Sequence, residues 1–100
     1  MAMDNVLRAI GLAVRAGKVV SGEFMTENAV KSGSAALVVI AQDVSENTRK
    51  KFRNMCEFYE VPIREYADKD ALGHSIGKEF RASLAVTDEG RAQAILKKMD

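Results

Sequence analysis

"ALVVIAQD", residues 36–43, decides how the rest of the chain is read. It is an unbroken apolar run rich in branched side chains, closed by two polar residues. Strict alternation would mark a strand with one wet face, and its absence predicts a strand covered on both faces. The longest apolar stretch, "AALVVIA", falls far short of the ~20 residues that a membrane helix needs. A central strand of this kind requires helices on both sides of its sheet.

The flanking sequence supplies them. Before the run, a helix from about Glu23 to Ser32 stops at Gly33, and "KVVSG" at 18–22 is a short extended piece. Farther back, Asp4 caps a helix to about Ala16. Leu7, Ile10 and Val14 recur there at helical spacing, Val6 and Ala13 lie beside them, and Gly17 ends the element. After the run, Ser45 starts a helix in which Phe52, Met55, Cys56 and Tyr59 predict an inward stripe. "VPIREY" reads as a strand with its proline near the start, where a missing donor is tolerated. Asp68 caps a helix from about Lys69 to Ile76, and "ASLAVTD" is the last strand. Asp88 then caps a final helix with Ala92, Ile95, Leu96 and Met99 on its buried face. The alternation predicts an α/β fold: a three-layer α/β/α sandwich around a central mixed four-stranded sheet. No linker, repeat or low-complexity segment interrupts it, so residues 1–100 are expected to form one domain.

Composition narrows the function. An apolar share of 47% with one proline favours an ordered globule. Fifteen basic against fourteen acidic residues leave a net charge of +1, so a polyanion site must come from local charge placement. Cys56 is alone, which excludes an intramolecular disulfide and a clustered-cysteine zinc site. Inside a helical pattern it is expected to be a small buried apolar residue. His74 is the only histidine and is read as a polar helix-end residue without a role. Asp68 and Asp70 are explained by capping and the helix dipole, and Glu57, Glu60 and Glu65 by solvated faces. Neither a catalytic centre nor a metal or cofactor is expected. The N-terminus lacks a signal-peptide core, which gives the cytoplasm as the expected location.

"ALGHSIGKEFR", residues 71–81, resembles a phosphate loop at first sight. A nucleotide loop of the Walker type needs four residues between its glycines and a hydroxyl after the lysine. Only His74, Ser75 and Ile76 separate Gly73 from Gly77, and Glu79 stands where the hydroxyl belongs. The count rejects a nucleotide pocket. What remains is Phe80 between Lys78 and Arg81, a pattern suited to unpaired or distorted RNA, where bases stack on rings and cations hold the backbone. Read from the residues alone, Phe80 equally well folds back onto the core. "RKKFR" at 49–53 is the densest basic stretch. It is read first as a solvated helix exterior and second as a phosphate-binding face.

Four stretches in order, "AGKVVSG" at 16–22, "KSGSAALVVIAQDVS" at 31–45, "YEVPI" at 59–63 and "LGHSIGKEFR" at 72–81, resemble the L-seven-Ae / L-thirty-e ribosomal protein family. The similarity covers nearly the whole chain. It runs closest to the small bacterial ylxQ-type proteins, through "KVVSGE", "NTRKKF" and "LGHSIGKE". The resemblance implies an α/β/α sandwich that binds RNA kink-turns, bent helix–loop–helix elements held through their backbone and sheared G·A pairs. It implies contact from the start of the second helix and from the loop before the last strand. Carried over by position, Gly22 keeps the glycine before the helix and Phe80 the loop tip. Lys78 and Arg81 match basic positions, Lys18 the base in the strand before Gly22, and Gln42 a polar position after the central strand. The chain departs from the pattern at Phe24, where the family has Asn or Lys, at Met25, where it has Glu or Gln, and at Asn28, where it has a base. Glu23 adds a negative charge at the same entrance.

The expectation is therefore a non-catalytic RNA-binding protein whose partner is a structured RNA, ribosomal or an mRNA leader, on or off the ribosome, with no membrane involved. Gly22, Phe24, Asn28, Lys31, Lys78, Phe80 and Arg81 are expected along one edge, with Lys18, Met25 and Gln42 completing the set. Phe24 and Met25 suit base stacking. They equally suit a protein-contact surface, so the rival expectation is a protein-interaction module on the same fold.

Overall fold

The structure, a computed structural model, describes residues 4–99. Five helices and four strands follow one another as α1 Asn5–Arg15, β1 Val19–Ser21, α2 Glu23–Lys31, β2 Leu37–Ile40, α3 Glu46–Tyr59, β3 Ile63–Glu65, α4 Lys69–Ser75, β4 Ser83–Val86 and α5 Glu89–Met99. The predicted caps hold four of the helix starts. Asp4 Oδ1 accepts from the Leu7 N–H at 2.8 Å, Ser45 Oγ from Thr48 at 3.2 Å, Asp68 Oδ1 from Ala71 at 2.7 Å and Asp88 Oδ2 from Arg91 at 2.9 Å. Each satisfies one of the N–H groups that a helix start leaves over.

The sheet order is β1-β4-β2-β3, with β4 antiparallel to both β1 and β2, and β2 parallel to β3. The sheet is mixed because α3 carries the chain over from β2 to a parallel β3. β2 is buried at every residue, as the unbroken apolar run predicts, and its neighbour β4 is buried at every residue as well. The regular strand is shorter than that run. Ala36 donates to Val86 and Ala41 to Ala82, which extends the pairing by one residue at each end, while Gln42 and Asp43 leave the sheet.

α2 packs beside α3, and α1 packs beside α4 and α5, giving two helical layers around the sheet. Phe52, Ile10, Leu37, Ile40, Leu72, Leu84 and Ile95 are the largest fully buried apolar side chains. Burying each stabilises the fold by about 1.5–3 kcal/mol relative to leaving it in water. Cys56 is buried as expected, and burial pushes its thiol up to about 11.

Two expectations need correction. Tyr59 does not complete an inward stripe: it is 41% exposed and packs edge-to-face on the exposed Phe58, ring centroids 5.0 Å apart. It is the last residue of α3, where the chain already turns toward β3, so the periodicity outlasts the surface that it would cover. Glu65 is not on a solvated face. It is half-buried, and the guanidinium groups of Arg49 and Arg53 both bind it.

Candidate nucleic-acid interface

Register brings the carboxyl ends of β1, β2 and β3 to the same end of the sheet as the amino end of β4. Ser21 lies opposite Leu84, Ile40 opposite Ser83, and Ile40 also opposite Glu65. At that end the Gly22 N–H donates to the Ser83 carbonyl at 3.0 Å. Arg81 Nε donates to Ser21 Oγ, sixty positions away in the chain, at 3.1 Å. One layer inward, Ser83 Oγ donates to Thr26 Oγ1 at 3.3 Å, both residues fully buried, which pins the first turn of α2 to β4. The segments around 22 and 81 are neighbours.

Gly22 stands at the head of α2 with φ +92°, a conformation that L side chains rarely adopt. Among the described residues, nothing beyond its chain neighbours lies within 4 Å of where a Cβ would sit, so backbone geometry and not crowding requires the glycine. It offers no side chain to cap the helix. The N–H groups of the first turn are left to solvent or to a ligand, at the positive end of the helix dipole. Phe24, 73% exposed, and Met25, 46% exposed, follow directly.

The second segment is the loop after α4. Gly77, at φ +75°, turns the chain out of the helix, and the Lys78 N–H returns to the Gly73 carbonyl at 2.9 Å. The Arg81 N–H reaches the Lys69 carbonyl at 3.1 Å, so the loop is tied down at both ends. Gly73 is the floor on which it rests: a Cβ there would meet Glu79 O at 2.0 Å. Phe80 is left 63% exposed and does not fold back onto the core. Arg81 Nη1 donates to the Phe80 carbonyl at 2.7 Å, which holds the guanidinium between the ring's backbone and Ser21. Exposed Gln42 sits where β2 leaves the sheet, its N–H bonded to Ala67 and its carbonyl accepting from Arg49.

The other expected residues spread away from this end. Asn28 and Lys31 follow α2 outward, Lys31 lying about 12 Å along the helix from Glu23 at 1.5 Å per residue. With Met25, Val20 and Thr87 they line a shallow groove beside edge strand β1. Lys18 precedes β1, and its carbonyl accepts from Thr87, which puts it at the opposite end of the sheet from Gly22. The "RKKFR" cations are largely spoken for within the protein. Arg49 and Arg53 bind Glu65, and Lys51 binds Glu23 at 3.2 Å and Glu27 at 2.7 Å. Lys31 also binds Glu27 at 2.7 Å. These cations, Lys31 first and then Lys51, hold the Glu27 carboxyl down at about 2.

Ser21, Thr26, Gly73 and Ser83 shape this end of the molecule, although sequence reasoning gave none of them a role in the site. Ser21, Thr26 and Ser83 act through partners about sixty residues away, and Gly73 through the turn that lays Glu79 against it, neither of which a local pattern carries. The profile of the "Ribosomal protein L7Ae/L30e/S12e/Gadd45 family" matches residues 4–96. The chain is 43% identical over 91 residues to the RNA-binding protein YlxQ of Bacillus subtilis, covering 91% of each protein. It is 38% identical over 90 residues to the Enterococcus faecium protein of the same name, covering 90% of this chain and 86% of that one. A solved Bacillus halodurans protein of unknown function superposes with a TM-score of 0.94 at 31% identity, covering 98% of this chain and 99% of that one. The 15.5kD RNA binding protein of Giardia lamblia shares the fold, with a TM-score of 0.80 at 18% identity over 98% of this chain and 88% of that one. No helix among the described residues is long and apolar enough to cross a membrane. By a match over nearly its whole length and by its relatives, the chain belongs to the L7Ae/L30e/S12e/Gadd45 ribosomal protein family.

Proposed function

We propose that this chain is a non-catalytic, cytoplasmic RNA-binding protein that grips a structured RNA at a kink-turn-like bend, in ribosomal RNA or a folded mRNA leader. The observation that carries the reading is the meeting of two distant segments at one end of the sheet. The uncapped head of α2 supplies N–H donors and a positive dipole end for phosphate. The neighbouring loop supplies an exposed ring, Phe80, between two cations, Lys78 and Arg81. Bases extruded at a bend stack on such a ring while the cations and the helix head take the backbone. Phe24 and Met25 extend the apolar contact and Gln42 adds a polar group, while Asn28 and Lys31, farther along α2, meet only an RNA that continues beyond the helix head. Lys18, at the far end of the sheet, meets only an RNA that wraps past β1. The relatives named RNA-binding proteins support the same class of ligand.

Filter-binding titration against folded transcripts tests the site. Base–aromatic stacking contributes about 1–3 kcal/mol, so Phe80→Ala is expected to weaken binding roughly fivefold to 150-fold. Arg81→Ala, which also loses the tie to Ser21, is expected to lose at least as much as one phosphate contact. Arg49→Ala is expected to lose least, because Arg49 already serves Glu65, Glu46 and the Gln42 carbonyl. The reverse order would move the site to α3. Exposure of Phe24 and Met25 equally serves the rival reading as a protein-docking module. Freshly purified protein that carries no nucleic acid and forms a salt-insensitive dimer would favour that rival.

A further inference from the structure

The first turn of α2 carries an electrostatic problem. Glu23 opens the helix and Glu27 follows one turn later, so two carboxylates flank the N–H groups and the exposed Phe24. Left bare, both would repel a phosphate at the helix head. α3 supplies the answer from the neighbouring helix: Lys51 Nζ lies 3.2 Å from Glu23 Oε2 and 2.7 Å from Glu27 Oε1. Hydrogen bonds to Glu27 and then to Glu23 raise the ammonium's own pKa, so it stays charged across the physiological range. Glu27 has a second cation in Lys31 at 2.7 Å, whereas Lys51 is the cation that the structure places on Glu23.

We infer that Lys51 is the positioning residue of the α2 head: by cancelling Glu23 and Glu27 from α3, it makes that head receptive to an RNA phosphate without touching the RNA itself. This rests on the RNA-binding reading above. It gives one member of the "RKKFR" cluster a part in binding that runs through a carboxylate, not through direct phosphate contact. It also separates Lys51 from its exposed neighbour Lys50, which has the same charge on the same helix.

The test is a mutant cycle on the intact protein, using a pool of folded transcripts retained by the wild type, at about 50 mM salt. Lys51→Ala is expected to weaken binding roughly fivefold to tenfold, the size of about one unit-charge interaction at contact distance through water. Lys50→Ala is expected to weaken it less than twofold or so, as a general change of net charge does after screening. Lys51→Arg is expected to retain wild-type affinity. The deciding measurement is rescue: Glu23→Gln in the Lys51→Ala background is expected to restore affinity to within about twofold, although the protein has then lost two charged groups. A merely structural role for Lys51 would show as a loss that Glu23→Gln leaves in place, and that result overturns the inference. Equal losses for Lys51→Ala and Lys50→Ala overturn it too, while leaving the RNA-binding reading intact. Wild-type protein that retains no transcript overturns both at once.

Discussion

Gly73 sits inside α4, where a glycine costs about 1 kcal/mol of helix stability relative to alanine. The structure shows what that cost secures. The backbone of Glu79 lies so close that a Cβ on residue 73 would approach its carbonyl oxygen to 2.0 Å and its carbonyl carbon to 2.6 Å. Both are backbone atoms of a tied-down loop, so they have no rotamer in which to escape. Gly73→Ala should therefore destabilise the fold by about 1–3 kcal/mol, the usual range for overpacking, despite the better helix former. Urea unfolding checks the sign. Because the displaced segment carries Lys78, Phe80 and Arg81, RNA affinity should fall in the same variant, and more steeply than stability alone explains. A stabilised Gly73→Ala protein would mean that the loop does not rest on α4. In the sequence this glycine was visible only as half of a failed phosphate-loop count, because its reason is a neighbour six residues on, brought close by the turn at Gly77.

At the scale of elements, carboxylates tie the α2–α3 layer together and tie it to the sheet edge. Glu65 on β3 takes Arg53 and Arg49, and Glu27 on α2 takes Lys31 from its own helix and Lys51 from α3. Hydrogen bonding from Arg53, then Arg49, lowers the Glu65 pKa, and Glu27 is held at about 2. A carboxylate whose folded-state pKa lies below its unfolded value of ~4.3 contributes stability that is fully present above that value and is lost as the pH falls through the folded one. The protein should accordingly lose stability between about pH 4.5 and pH 2. Replacing Glu65 with Gln removes one such term, so Glu65→Gln should be less stable than wild type at pH 7, and the gap should close on acidification. Urea midpoints for both proteins from pH 7 to pH 3 measure it, and a gap that stays constant would mean that the Glu65 pairs do not couple folding to protonation. The elements themselves were legible because each rests on local signals: N-caps at Asp4, Ser45, Asp68 and Asp88, and an apolar run too continuous for a half-wet strand. The carboxylate ties were not, since Glu65 pairs with arginines 12 and 16 positions back and looks in sequence like any surface acid.

For the whole molecule, the near-balance of 15 basic and 14 acidic residues means that attraction to RNA is set by where the cations stand. The sheet register divides them. Lys78 and Arg81 stand at the end that carries Gly22 and Phe80, while Lys18 stands at the opposite end, about 13 Å away along β1. Lys31 lies near that far end and is engaged by Glu27, and three of the four "RKKFR" cations are in ion pairs of their own. An RNA gripped at one end thus displaces few counterions. The logarithm of the binding constant should fall with the logarithm of salt concentration at a slope of roughly −2 to −3, as for two or three phosphate contacts. A double Lys18→Ala and Lys31→Ala variant should leave that slope unchanged, whereas Arg81→Ala should reduce it by about one. Titrations between 50 and 300 mM salt distinguish the cases. A slope of −5 or steeper that the Lys18 and Lys31 variant flattens would mean that the RNA wraps along α2 and β1, with the Gly22–Phe80 end as one stop on a longer track. The resemblance set Lys18 and Lys31 with the Gly22–Phe80 end, but the extended β1 carries Lys18, four residues before Gly22, to the other end of the sheet, and α2 carries Lys31 the same way, which only the spatial arrangement of the two elements reveals.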